Sequence, residues 1–122
     1  MMNKEMQMLI IDLSDVSDRE SLHARLQEAL DFPLWYGGNL DALYDVLTDR
    51  SDPACILIIG WQELEAADPA YFERFRRVLR DAEAAESSCR FIFMERDGSV
   101  YREGEGNGRK QDTDNNRYTR LL

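Results

Sequence analysis

Ala54-Cys55-Ile56-Leu57-Ile58-Ile59-Gly60 is an unbroken apolar run closed by a glycine. A strand with one wet face alternates apolar and polar side chains, whereas a continuous run marks a strand covered on both faces. Residues 54–60 therefore read as a strand covered on both faces.

The flanking segments supply the rest of that architecture. Residues 7–13 read as a first strand, and Ser17-Asp18-Arg19-Glu20 is a capping-box sequence that opens a helix through about Leu30. Pro33 and Gly37-Gly38 break the chain, and Asn39 is a good N-cap for a second helix ending near Asp49, ahead of Pro53. After the apolar run, residues 61–67 suggest a short helical turn. Asp68-Pro69 then starts a longer helix running to about Glu86, with Asp as cap and Pro at the first helical position. Phe72, Phe75, Leu79 and Ala82 form its buried stripe, and Arg74, Arg76, Arg77 and Arg80 read as a solvated face. Residues 90–94 read as a last strand. This order predicts an α/β fold with a small three-stranded parallel sheet packed with helices, because parallel neighbours need helical crossovers.

Asp97-Gly98 offers a hairpin turn from Phe91-Ile92-Phe93 into Ser99-Val100-Tyr101, which would add an antiparallel C-terminal edge strand. The folded domain is thus expected to span 1–102. Residues 103–122 form a polar, glycine-containing tail with little to bury before Leu121 and Leu122, and its composition predicts disorder.

With 122 residues, 43% of them hydrophobic, the chain suits one domain with a real core. Its 24 Asp and Glu against 15 Lys and Arg leave a formal net charge of −9. Direct nucleic-acid binding needs clustered cations and is not expected, whereas a basic protein is the natural electrostatic complement. Met8-Leu9-Ile10-Ile11 is too short for a signal-peptide core or a membrane span, so a cytoplasmic location is expected. Cys55 and Cys89 then read as reduced core thiols. One histidine and two separated cysteines give no zinc spacing, and neither metal nor cofactor is expected.

The candidate functional stretch is residues 32–49, an aromatic and glycine loop opening the short second helix. Leu40, Leu43, Val46 and Leu47 recur at helical spacing as an anchoring face, and Asp41, Tyr44, Asp45 and Thr48 form a displayed neighbour. Asp41 and Asp45 stand four apart with no cation on their stripe, a pairing that costs an isolated helix roughly 0.2–0.5 kcal/mol. Asp45 and Asp49 lie toward the helix end, where carboxylates are disfavoured. Charged helix faces are often merely solvated, so this pattern alone permits a plain reading beside a binding one.

The run from Tyr36 through Thr48, Tyr-Gly-Gly-Asn-Leu-Asp-Ala-Leu-Tyr-Asp-Val-Leu-Thr, resembles the acidic-helix signature of the barstar family of intracellular ribonuclease inhibitors. Leu22-His23-Ala24-Arg25-Leu26 resembles that family's first helix, and weaker similarity runs from about Met8 to Met94. The resemblance implies a monomeric inhibitor, not an enzyme, that plugs a basic ribonuclease. Asp45 would mimic substrate phosphate, Asp41 would make a second contact one turn earlier, and Trp35 would replace a tyrosine that packs on the enzyme's catalytic histidine. Asp81 aligns with a peripheral contacting acid. Gly37, Gly38, Tyr44 and Thr48 complete the expected partner surface with Asn39, which caps the helix and presents its carbonyl. Gly37 is expected to supply a positive φ. Gly38 replaces a family glutamate, Tyr44 a tryptophan and Arg50 another aromatic, so a different basic toxin is an alternative target. A small metal-dependent hydrolase using Asp41 and Asp45 is a further alternative. His23 is expected to serve core packing or a structural hydrogen bond.

Overall fold

A computed structural model describes residues 6–85 and 88–100. Three strands, β1 (Gln7–Asp12), β2 (Ala54–Ile59) and β3 (Cys89–Phe93), alternate with helices α1 (Arg19–Leu30), α2 (Leu40–Asp49), α3 (Gln62–Ala67) and α4 (Pro69–Ala84). Both strand pairs are parallel, in the order β1-β2-β3. The apolar run is thus the central strand of the sheet.

Local signals place the helix ends. Asn39 is extended and accepts from the Ala42 amide at 2.8 Å, starting α2. Asp68 accepts from the Tyr71 amide at 3.3 Å, with Pro69 at the first helical position of α4. At α1 the cap is Asp18, one residue after the Ser17 of the expected capping box; it is extended and takes the Ser21 amide at 2.8 Å. A carboxylate there serves both as acceptor and as favourable charge at the positive end of the helix dipole.

The two faces of the sheet have different fates. Leu9, Ile11, Ala54, Ile56, Ile58, Cys89, Phe91 and Phe93 meet a single core that draws Leu22, Leu26 and Leu30 from α1, Leu43 and Leu47 from α2, Leu64 from α3, and Phe72, Phe75, Leu79 and Ala82 from α4. On the opposite face Met8 and Ile10 are 64% and 63% exposed, and Cys55, Leu57 and Ile59 are half-buried. The expectation of a strand covered on both faces is therefore corrected. All four helices feed the core on one side, so the run is apolar beyond what that core requires.

Among the described residues the expected edge strand is seen as an antiparallel bridge between Met94 and Val100. On the outer edge of β3 the Glu83 carboxylate takes the Phe91 amide at 2.5 Å. Tyr101 and the polar stretch 103–122 lie outside the described residues. Arg74, Arg77 and Arg80 are exposed as expected, whereas Arg76 is drawn over the Phe72 ring and ion-paired to Glu73 at 2.6 Å. Cys55 and Cys89 are not joined in a disulfide and lie on opposite faces of the sheet. Among the described residues no helix is long and apolar enough to cross a membrane.

Candidate functional site

The loop before α2 holds its aromatic residues in alternate directions. α1 ends at Asp31 in the left-handed region, φ 58°, and the Phe32 amide bonds back to the Gln27 carbonyl at 3.0 Å. Phe32 and Tyr36 turn inward with ring centroids 4.8 Å apart, and a turn between them is closed by the Tyr36 amide on the Pro33 carbonyl at 3.0 Å. The residues within that turn are left outside: Leu34 is 97% and Trp35 77% exposed.

Behind the loop lies a buried polar relay. His23 Nδ1 is 2.6 Å from the Tyr36 hydroxyl, and its Nε2 is 2.8 Å from the Tyr71 hydroxyl. It joins α1, the loop and α4, fulfilling the structural role expected of His23. Burial holds the imidazole below its ordinary 6.5 and drives the Tyr36 hydroxyl well above 10.

Glycine use differs from expectation at one position. The positive φ belongs to Gly38, 72°, and not to Gly37. A Cβ at Gly37 would stand 3.4 Å from the Ala42 Cβ, an ordinary contact distance, so the loop lies against α2 there. The backbone reverses at Gly38 because Tyr36 is tied by the turn and Asn39 is extended as the cap.

From this loop α2 presents the predicted two faces. Leu43 and Leu47 are buried, while Asp41, Asp45 and Asp49 are exposed and have no cationic partner among the described residues. The helix also lacks a cation in its last turn. Tyr44 is half-buried and packs against the core, and the Thr48 hydroxyl donates to the Tyr44 carbonyl at 2.8 Å, so both serve the helix as well as its surface. Trp35, Gly37, Ala42, Asp45, Val46, Thr48 and Asp49 line an open groove of about 570 Å³.

The structure thus brings Trp35, Gly37, Asp45 and Thr48 together. Gly38, Asn39, Asp41 and Tyr44 lie on the adjoining loop and helix, and exposed Asp81, near the end of α4, does not line the groove. Two neighbours of the site lie within the stretch 32–49 but were not singled out as contact residues. Asp49 was signalled by its four-residue spacing from Asp45, and Leu34 by having no place in any amphipathic register. Arg50 points away, with Nη1 3.2 Å from the Leu30 carbonyl and Nη2 3.3 Å from Gln7 Oε1. Asp41 and Asp45 have no third carboxylate, histidine or cysteine converging on them among the described residues.

A family model described as barstar, the barnase inhibitor, matches residues 6–95. The chain belongs to the barstar family. A Bacillus subtilis (strain 168) protein named "Putative ribonuclease inhibitor YrdF" is 46% identical over 79 residues, covering 64% of this chain and 87% of that protein. The barstar-family match encloses the whole loop and α2, with Asp45 and Trp35 on the groove. Two departures from the barstar pattern also gain a physical reading. Arg50 ties the ends of α1 and α2 to β1, and Gly38 leaves open space, with His23 Cβ 4.0 Å from where its own Cβ would stand.

Proposed function

We propose that this chain binds and blocks a basic ribonuclease through the loop 32–38 and α2, acting as a monomer in the cytoplasm of the cell that makes the enzyme. The observation that carries this reading is the pairing, on one groove, of an exposed indole with a carboxylate that no cation in the described structure neutralises. A ribonuclease active site offers the complement: arginine, lysine and histidine arranged for a phosphate, beside a surface on which a base stacks. Asp45 enters as the phosphate mimic and Trp35 packs against the catalytic histidine. Asp41 contributes a second charge-assisted contact, with Asn39, Gly37, Gly38, Tyr44 and Thr48 completing the surface and Asp81 at its periphery.

Stoichiometric inhibition of a barnase-type ribonuclease, lost in Asp45→Ala, tests the proposal. Removing one partner of a desolvated ion pair costs about 3–5 kcal/mol. The variant should therefore bind roughly 10²- to 10³-fold more weakly or worse, since each 1.4 kcal/mol is about tenfold. Equal inhibition by both proteins would remove Asp45 from the mechanism. A second reading, immunity toward a different basic toxin, is favoured by the bare backbone at Gly38 and the inward Arg50, which leave the contact surface without the family's side chains there. A well-folded protein that fails to inhibit the ribonuclease but captures another basic toxin would establish it.

A further inference from the structure

The sheet face opposite the core is apolar and open on one side. Register places Ile10, Leu57 and Ile92 in one row across the three strands, and their exposure rises from 8% at Ile92, through half-buried Leu57, to 63% at Ile10. Met8, on the same face of β1, and Met6, just before that strand, are 64% and 50% exposed. Apolar side chains placed side by side in this way mark a docking surface rather than scattered surface residues.

We propose that residues 117–122 of this chain, Arg-Tyr-Thr-Arg-Leu-Leu, lie across this face and cover Met8 and Ile10. Three observations select that occupant. The described chain reaches Val100 beside β3, and on that edge the Phe91 amide is already taken by the Glu83 carboxylate. The core already fills the other face, so the open apolar row is the face of the sheet that remains for an apolar segment to bury. Within 101–122, Tyr118, Leu121 and Leu122 recur at helical spacing after a polar stretch.

Charge and reach agree with the same occupant. Arg117 and Arg120 are accompanied by no acidic side chain after Asp114. They would approach a protein of net charge −9 whose Asp12 follows Ile10 on the same face of β1. Three strands span about 10 Å. The residues between Val100 and Arg117 reach roughly 50 Å when extended, and the cost of closing such a loop grows only slowly with its length.

Oxidation of the full-length protein by hydrogen peroxide, read methionine by methionine by mass spectrometry, tests this placement. In the wild type Met8 should oxidise several-fold more slowly than N-acetylmethionine amide, at a rate independent of protein concentration. Leu121→Asp/Leu122→Asp should remove the protection, and Leu121→Met/Leu122→Met should keep it, with circular dichroism confirming the fold of both. Met8 reacting as fast as the free amide in the wild type would overturn the proposal. Protection that survives the double aspartate variant would overturn it too. Protection that grows with concentration alongside a dimeric mass by light scattering would assign the face to a second copy instead.

Discussion

Asn39 shows how much of the site depends on one small side chain. Its carboxamide oxygen holds the Ala42 amide at 2.8 Å, and the first turn it fixes carries Asp41 and aims the rest of α2. Asn39→Ala should cost about 1 kcal/mol of stability, within a range of about 0.5–2, as read by urea denaturation. A change below a few tenths would mean that water or a neighbouring group caps the helix equally well. This cap was legible in the sequence because its geometry is local. The positive φ was placed one residue early, at Gly37, because two adjacent glycines look alike until the turn from Pro33 to Tyr36 is known. Arg50 was misleading for a related reason: its position in the chain puts it at the end of the acidic helix, but its guanidinium reaches back to α1 and β1.

Between elements, the His23 relay is the fastening of the binding loop. It bonds α1 to Tyr36 on one side and to Tyr71 of α4 on the other, in a buried site that favours the neutral ring. A neutral imidazole donates from one nitrogen and accepts at the other, so the two hydroxyls have complementary roles; a protonated ring donates from both. Because the folded state holds the pKa below the unfolded 6.5, the unfolded chain takes up the proton first. The contribution is fully present above about pH 6.5 and is lost as pH falls below it. Stability measured by denaturation should therefore decline from pH 7 toward pH 5, and His23→Gln should flatten that slope while lowering stability at neutral pH. An unchanged slope would place the titration elsewhere. The elements themselves were legible to within a residue or two, since apolar periodicity, Asx caps and prolines fix them locally. Which sheet face the helices would cover was not, because side-chain alternation cannot show on which side crossovers pack when both faces of a strand are apolar.

For the whole molecule, charge and shape act at different distances. A net charge of −9 guides approach to a basic partner over a range set by the Debye length, about 10 Å at 0.1 M salt, while the groove makes contact only on arrival. The association rate should fall steeply from low to physiological salt, by stopped-flow measurement, and the dissociation rate should change far less. A salt-independent association rate would remove the acidic surface from the encounter. The two tryptophans occupy opposite extremes of exposure. Trp61 is 2% exposed, stacked on Phe72 at 5.5 Å and bonded through Nε1 to the Met94 carbonyl at 2.8 Å, whereas Trp35 stands on the groove in water. The protein consequently carries two optical probes with separate duties. Acrylamide should quench Trp35 emission and spare Trp61 until the fold melts. Occupation of the groove should abolish that quenching and move only the red component of the spectrum, so unlabelled protein reports docking and unfolding as distinct signals.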